Sequence, residues 1–211
     1  AVAGVVDTYA PDFASGATAT AIDENSGAGQ PVYTAAASDS AGSVAYSLKA
    51  IGDHALLSIN ASTGEVVLTG NPDYESKTNY TFTVVATDAA GNASEQTVTL
   101  DINNLDDTAP SITSAATATA INENSGAGQV VYTVTSNDSA DVATGSTSYS
   151  LKVGGDAALF SINTATGAVT LIGSPDYETK ANYSFTVVAT DAANNAKLLR
   201  LLAAAPTEKR T

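Results

Sequence analysis

The sequence predicts an all-β protein built as two tandem Greek-key β-sandwiches of the immunoglobulin-like kind. Apolar residues recur with a period of two in short runs that are rich in Val, Thr, Tyr and Ile. Gly, Asn, Asp and Pro separate these runs, and about five to seven strands at this spacing make an immunoglobulin-like sandwich of about 100 residues. The whole pattern then occurs a second time, which indicates two such domains.

In the first copy the predicted strands are, in order, QPVYTAAAS, SVAYSLKA, GEVVLTG, NYTFTVVATD and EQTVTLDIN. Branched and aromatic side chains favour strands because they pack well on a pleated, half-buried surface. Turns are predicted at 61–64 and 90–92, where Gly64 and Gly91 can adopt a positive φ.

The duplication is nearly verbatim in two places. ATAIDENSGAGQPVYT at 19–34 returns as ATAINENSGAGQVVYT at 118–133, and NYTFTVVATDAAGNA at 79–93 returns as NYSFTVVATDAANNA at 182–196. The offset is 99 at Glu24 and Glu123 (123 minus 24) and 103 at Asp73 and Asp176 (176 minus 73), so four residues are inserted between these points. A period of about 100 residues is that of a whole domain with its own core.

The domain boundaries follow from this repeat. We predict a first domain over 1–107, a second over 108–196, and an atypical or foreign tail over 197–211. The first copy continues after DAAGNA as SEQTVTLDINNLDD, whereas the second continues after DAANNA as KLLRLLAAAPTEKRT. Helical periodicity occurs only near this end, although LLRLL could also take the place of the last strand.

The charge balance excludes several classes of partner. Lys and Arg number 8 against 22 Asp and Glu, which gives a net charge of −14 and a pI of about 4.1. A basic surface for nucleic acid or for an anionic membrane is therefore not expected. Charged residues are 14% and hydrophobic residues 44%, a composition that is too apolar for a disordered acidic chain.

Residue types that are absent narrow the chemistry further. Cys, Met and Trp do not occur, and His54 is the single histidine, so disulfides, thiolate metal sites and thiol nucleophiles are excluded. No apolar run of about 18 residues could span a bilayer, and we expect no membrane insertion. The missing initiator Met suggests a processed protein or an excised piece. A Cys-free composition rich in Ala, Thr, Ser and Val fits an extracellular protein of the bacterial cell surface.

Acidic residues recur at fixed places in both copies. They are Glu24, Asp39, Asp73, Glu75 and Asp88 in the first, and Glu123, Asp138, Asp176, Glu178 and Asp191 in the second. An Asp-x-Glu pair in an extended segment puts both carboxylates on one face, where two charges about 5 Å apart repel by about 3 kcal/mol at an effective dielectric of about 20. Oxygen ligands without Cys or a His cluster suit Ca²⁺ better than zinc or copper, and Mg²⁺ keeps its waters. We therefore expect calcium.

Several of these segments resemble the motifs of cadherin repeats, in the form found in large bacterial surface adhesins. They are the glutamate of DEN and NEN, the PDYE segment, ATDAAGN with Asp88, and NLDDTAP at 104–110, in this order and spacing. The resemblance covers nearly the whole chain except the tail. It implies a cadherin-type sandwich in each copy, with calcium ions at the junction of consecutive domains.

The resemblance also implies a set of calcium ligands. They are Glu24, Asp73 and Glu75 of the first domain, the side chains of Asp106 and Asp107, the backbone carbonyls of Leu105 and Thr108, and Asp138 and Asp191 of the second domain. The family usually has another aspartate two residues after position 138, but here Ala140 stands there with Asp141 beside it. One of the usual three ions loses a ligand unless Asp141 or the four-residue insertion compensates.

The outer ends of the pair are expected to differ from the junction. VVDTYAP at 5–11 aligns with NLDDTAP, so Asp7 matches Asp106, while Thr8 replaces Asp107. Asp7, Asp39 and Asp88 could hold one ion at this tip. At the other tip Glu123, Asp176 and Glu178 lack a following linker, and we expect weak binding or none.

Two functions fit such a pair. One is an extender segment of a long surface adhesin, stiffened by calcium, and the near-identical copies favour it. The other is a binding module that recognises another cadherin-like domain, homophilically or heterophilically, or a polysaccharide. An enzyme is not expected, because paired carboxylates of the glycosidase kind need a substrate cleft and the chain has 6% aromatics without Trp. For Asp106 and Asp107 a solvated acidic linker is the alternative.

Overall fold

The structure, a computed structural model, describes residues 7–204 except 41, 140, 141, 143 and 144, and it confirms the all-β prediction. The chain divides into two compact units, 1–105 and 106–211, and each has its own hydrophobic core. This division falls two residues before the boundary predicted from the repeat. Within the described part of the chain, no helix is long and apolar enough to cross a membrane.

The described residues of the first unit form nine strands and one short 3₁₀ turn at His54–Leu56. The strands are β1 (Asp12–Phe13), β2 (Ile22–Asp23), β3 (Gln30–Thr34), β4 (Ala37–Ser38), β5 (Ala45–Leu48), β6 (Leu57–Ile59), β7 (Glu65–Leu68), β8 (Asn79–Thr87) and β9 (Ala93–Asn103). One sheet has the order β2-β9-β8-β5, the other has the order β3-β7-β6, and β1 pairs with β4 at one edge. Every strand pair is antiparallel except β2 with β9, which are parallel.

The core of the first unit lies between its two sheets. Phe82 and Val84 of β8 and Val66 of β7 are fully buried, and each such side chain contributes about 1.5–3 kcal/mol by leaving water. The ring of Tyr33 on β3 meets the ring of Phe82 edge to face at 6.0 Å. The period-two pattern in the sequence therefore reports directly which side chains face the opposite sheet.

The second unit repeats this architecture, except that its described residues include no strand corresponding to β2. Its strands are β10 (Ser111–Ile112), β11 (Gln129–Thr133), β12 (Ser136–Asn137), β13 (Ser148–Leu151), β14 (Phe160–Ile162), β15 (Ala168–Leu171), β16 (Asn182–Thr190) and β17 (Ala196–Ala204). The sheets have the orders β13-β16-β17 and β11-β15-β14, with β10 paired to β12. A 3₁₀ turn at Ala157–Leu159 matches the one in the first unit.

The start of the atypical tail forms the last strand of the second unit. Strand β17 pairs with β16 over nine residues, from Asn182↔Ala204 to Thr190↔Ala196. Leu201 and Ala203 are buried there, in the places that Val98 and Leu100 occupy in the first unit. The helical periodicity of this stretch is overridden because the free edge of β16 offers a full ladder and the alternate residues are apolar. Of the two alternatives, LLRLL takes the place of the strand.

Gly64 provides a test of the turn that follows β6. Its φ is 71°, and an added Cβ would collide with the backbone carbonyl of Ala35. We expect Gly64→Ala to lower the free energy of unfolding of the first domain by about 1–3 kcal/mol, measured by urea denaturation. Gly70→Ala is the matched control, because a Cβ there meets no atom within 4 Å; equal losses in the two variants would contradict this explanation.

Candidate metal centres

Three aspartates converge at one end of the first unit. Asp7 precedes β1, Asp39 follows β4 and Asp88 follows β8, and each offers a carboxylate oxygen within 4.8 Å of the other two. Asp88 is buried and the other two are half-buried. This is the group that the sequence placed at the N-terminal tip.

Hydrogen bonds hold Asp88 in its ionised form. The Asn92 side-chain amide donates to Oδ2 at 2.8 Å, and the N–H groups of Ala90 and Asn92 donate to Oδ1 at 2.8 and 2.9 Å. The Asn92 amide lowers the pKa of Asp88 below its ordinary value, while burial opposes this shift and the backbone N–H groups of 90–92 reinforce it. The same amide also reaches the carbonyl oxygen of Asp7 at 3.3 Å, so Asn92 ties two members of the group together.

The second unit contains the equivalent group. Asp106, Asp138 and Asp191 each offer a carboxylate oxygen within 4.8 Å of the others. Asn195 repeats the role of Asn92, because its N–H donates to Asp191 Oδ1 at 2.8 Å and its side-chain amide donates to the Asp106 carbonyl at 2.9 Å. All three members of this group were therefore predicted from the sequence, in three segments far apart in the chain.

The donor atoms of both groups fit a hard cation. Asp7 Oδ2 and Asp191 Oδ2 are buried and have no hydrogen-bond partner, although leaving a buried polar atom unpaired costs about 1–3 kcal/mol and more when it is charged. An ion bound in each group would satisfy the unpaired oxygen of that group. Carboxylate and carbonyl oxygens without nitrogen or sulfur are the ligand set of Ca²⁺.

Glu24 organises the other end of the first unit. Its side chain is 1% exposed, and its two oxygens accept hydrogen bonds from the N–H groups of Tyr74 at 2.8 Å and Leu105 at 2.7 Å. An oxygen of Glu75 lies within 4.8 Å of an oxygen of Glu24. Glu24 thus joins the PDYE segment to the start of the linker.

The extended conformation expected for PDYE is wrong, because residues 73–77 form a turn. The N–H of Lys77 donates to the carbonyl of Asp73 at 2.9 Å, and the Asp73 carboxylate accepts from the N–H and the hydroxyl of Ser76. Asp73 is therefore engaged within the turn, and Glu75 is the residue of the pair that approaches Glu24. A short polar side chain that caps its own turn competes effectively with an extended backbone.

The second unit has the corresponding turn and a fuller cluster. Glu123, Asp176 and Glu178 each offer an oxygen within 4.8 Å of the others. Hydrogen bonds from the hydroxyl and N–H of Thr179 lower the pKa of Asp176. Glu123 accepts the N–H of Tyr177 at 3.2 Å.

A lysine secures each turn to the body of its unit. Lys77 lies 3.0 Å from Asp53 and over the ring of Tyr80, and Asp53 also accepts the N–H of Thr81 at 2.8 Å. In the second unit Lys180 and Asp156 repeat this arrangement at 2.8 Å. Burial raises the pKa of Asp53, but the Thr81 and Lys77 contacts outweigh it and the pKa is lowered; for Asp156 the Lys180 hydrogen bond lowers the pKa most.

The remaining predicted ligands are distributed along the linker. Leu105 is exposed and donates its N–H to Glu24, and the Thr108 hydroxyl contacts Asp107 Oδ1 at 3.4 Å. Their carbonyl roles stay predictions, as does the side-chain role of Asp107. Asp141 and the neighbouring Ala140 lie outside the described residues.

Three asparagines were missed by the sequence reasoning. Asn92 and Asn195 occupy equivalent positions of the repeat, 103 residues apart, and this recurrence could have identified them as residues of the acidic groups. Asn104 Oδ1 is buried without a hydrogen-bond partner, which makes Asn104 a further candidate ligand. The equivalent of Asn104 at the offset of 99 is Val5, so the repeat carried no signal for it.

Glu24 can be tested without metal. We expect Glu24→Gln to lower the free energy of unfolding of the first domain by about 1–3 kcal/mol in EDTA, because the amide replaces one of the two accepting oxygens with an NH2 donor that would face a backbone N–H. Glu123→Gln is the control, and its loss should be smaller, since among the described residues Glu123 accepts a single backbone N–H, that of Tyr177. Urea denaturation compares the two, and a larger loss for Glu123→Gln would contradict the assigned role.

The Asp156–Lys180 pair predicts an acid dependence. The folded pKa of Asp156 lies below its ordinary value of 3.8, so its stabilisation is present above the unfolded pKa and is lost as the pH falls through the folded pKa. We expect Asp156→Asn to be less stable than the unchanged chain at neutral pH and the difference to shrink below about pH 3.8. Urea denaturation across this range measures it; a pH-independent difference would exclude the ion pair as its source.

Comparison with known proteins agrees with two β-sandwich domains in tandem. A family model described as Cadherin domain matches residues 18–103 and 117–199. Human Protocadherin Fat 1 is 31% identical over 150 residues, which are 70% of this chain and 3% of that protein. The Drosophila melanogaster protein dachsous is 26% identical over 204 residues, or 88% of this chain and 6% of that protein. The chain thus spans only a few per cent of the length of the curated relatives that it matches.

Solved structures show the same fold. The crystal structure of human Protocadherin-24 EC1-2 superposes with a TM-score of 0.70 at 24% identity and covers 94% of this chain and 99% of that one. Drosophila N-cadherin EC1-4 gives a TM-score of 0.70 at 22% identity, covering 94% of this chain and 50% of that one. Taken with the two matched segments, the chain belongs to the cadherin domain family and consists of two tandem cadherin domains.

Proposed function

We propose that this chain is a calcium-stiffened extender, a pair of extracellular domains within a larger cell-surface adhesion protein. Cadherin domains are extracellular adhesion modules that typically bind Ca²⁺. The observation that carries the proposal is the group of Asp106, Asp138 and Asp191, which includes a buried and unpaired carboxylate oxygen. Asp106 of this group belongs to the linker, and a divalent cation would neutralise the negative charge that the three carboxylates carry.

The proposed ligands reach the junction from two directions along the chain. Glu24 accepts the N–H of Leu105, and Asp107 follows Leu105 by two residues. The Cα atoms of Leu105 and Asp107 are therefore about 7 Å apart at most, even in a fully extended chain. Asp106 enters the acidic group of the second domain. A linker with ligands on both sides would be held at several points once calcium is bound.

Calcium supplies positive charge that relieves the repulsion among these carboxylates. The chain's own residues do the rest. Asn195 orients Asp191 and the Asp106 backbone, and Glu24 fixes the start of the linker. Pro110 then leads into β10 with a fixed φ and no N–H to satisfy. Each occupied site adds RT ln(1 + [Ca²⁺]/Kd) to stability, about 2.7 kcal/mol at a hundred times Kd.

The proposed ligand set at the junction is the one that the resemblance implies, with Asn104 added. It comprises Glu24, Asp73, Glu75, Leu105, Asp106, Asp107, Thr108, Asp138, Asp191 and Asn104. Asp141 lies outside the described residues and stays a prediction. Asp73 is the least supported of these, because its carboxylate caps its own turn. At the outer tip Asp7, Asp39 and Asp88 are proposed to hold one ion, and the Glu123 cluster is proposed to bind an ion weakly or not at all.

The setting of the whole protein is also a proposal. The relatives named above are animal proteins, while the bacterial surface is proposed from the composition and from the resemblance to bacterial adhesins alone. Extension rather than catalysis is proposed because the acidic groups recur in both domains and consist of ion ligands. A distinct origin of the tail over 197–211 stays a prediction.

Small-angle X-ray scattering in EDTA and in millimolar calcium tests the stiffening. We expect calcium to increase the maximum dimension and to reduce flexibility, because ligands from the linker and both domains must hold their geometry together. Asp107→Ala should abolish this change, and the first domain should still melt as before in EDTA.

Asp12→Ala is the control for charge removal, since Asp12 is exposed and outside every acidic group. If calcium changed neither the scattering nor the melting temperature of the unchanged chain, the acidic groups would be only a solvated linker and the extender mechanism would be abandoned.

A further inference from the structure

The outer face of β17 differs in chemistry from that of its counterpart β9. Leu198 and Leu202 are 45% and 60% exposed, and Arg200 between them is exposed as well. The equivalent positions of the first domain, at the offset of 103, are Glu95, Thr97 and Thr99. A polar face in one domain is thus an apolar and basic face in the other.

The change removes an ion pair. In the first domain Lys49, just after β5, pairs with Glu95 on β9 at 2.7 Å and so spans the intervening strand β8. Lys152 stands in the place of Lys49, but Leu198 stands in the place of Glu95. Among the described residues neither Lys152 nor Arg200 forms an ion pair.

A groove of about 480 Å³ lies where the ion pair would have closed the surface. Lys152 and Val153 stand on one side and Leu198 and Arg200 on the other. The hydroxyl-bearing residues Ser184 and Thr186 of β16 lie between them and offer hydrogen-bond donors. Val153 is 96% exposed, so an apolar side chain borders the two cations.

We propose that this groove binds a carboxylate of a second copy of this chain, presented by the acid-rich first domain of that copy. Residues 1–105 contain 12 Asp and Glu against 2 Lys, whereas residues 106–211 contain 10 against 6 Lys and Arg. The first domain therefore carries −10 of the net charge of −14. The carboxylate would take the place that Glu95 fills within the first domain.

The occupant is inferred from charge complementarity between the basic groove and the acidic first domain of a second copy. The exposed carboxylates of Asp12, Asp23, Glu65 and Asp101 lie on the first domain outside its acidic groups. A basic groove on one domain and an acidic surface on the other make a heterologous contact, which generates rings or open chains. A contact with two cations and two exposed apolar side chains is small beside the roughly 800 Å² per partner of a stable interface, so it is weak and sensitive to salt.

Sedimentation equilibrium of the whole chain at physiological salt tests the proposal, in calcium and separately in EDTA. We expect self-association that weakens at high salt. Leu198→Glu gives the second domain the residue of the first, so it restores an internal partner for Lys152 and closes the groove. Its association should weaken by at least about tenfold, or about 1.4 kcal/mol, while its melting temperature is unchanged or higher.

Two matched variants keep the test decisive. Arg200→Thr introduces the residue of the first domain without adding a charge and should weaken association to a lesser degree; it also replaces Leu198→Glu if that variant does not fold. Lys197→Thr removes a charge outside the groove and should leave association unchanged.

A chain that is monomeric at every concentration overturns the proposal, as does association that Leu198→Glu leaves intact. Polygalacturonate is the competing probe. Binding of this anionic polysaccharide by a monomeric chain, with loss of binding in Leu198→Glu, would also overturn the proposal and assign the groove to a carbohydrate.

Discussion

Carboxylates concentrated at the ends of each sandwich are the constraint on which the rest of this structure depends. A carboxylate that leaves water must find donors or a cation, and the chain supplies donors from its own turns. Asn92 and Asn195 each serve an aspartate and a backbone carbonyl at once. Glu24 is almost fully buried and uses both oxygens on backbone N–H groups. The unpaired oxygens of Asp7 and Asp191 are what remains for a metal.

The architecture was predictable from the sequence to a large extent, because the alternation of apolar and polar residues along strands and the duplication of the domain are both evident in the amino-acid sequence. Val66, Phe82 and Val84 are buried where the period-two pattern places them. The residues of the two aspartate groups could also be predicted, since aspartates that recur at equivalent positions of both copies are expected to have the same role. Recurrence requires no knowledge of which residues approach in space.

What escaped prediction depends on local backbone geometry. PDYE is extended by its pattern but turns, because the Asp73 carboxylate captures Ser76. The tail has helical spacing but forms β17, since an unsatisfied edge of β16 lies within reach and Leu201 and Ala203 fit the core. Asn104 could not be found by recurrence, because position 5 carries an apolar residue. The turn at Asp73 is thus a local effect, whereas tertiary context decided the conformation of the tail.

The parallel pairing of β2 with β9 has a mechanical consequence. These strands lie near the two ends of the first domain, and Ile22↔Ile102 is reinforced by hydrogen bonds from Ala19 to Thr99 and from Glu24 to Asn103. A pull on the two ends of the domain draws the strands along each other in opposite directions. The bonds are then loaded in shear and share the force instead of opening one at a time. The same strand order that completes the sheet makes the domain resistant to stretching along the chain.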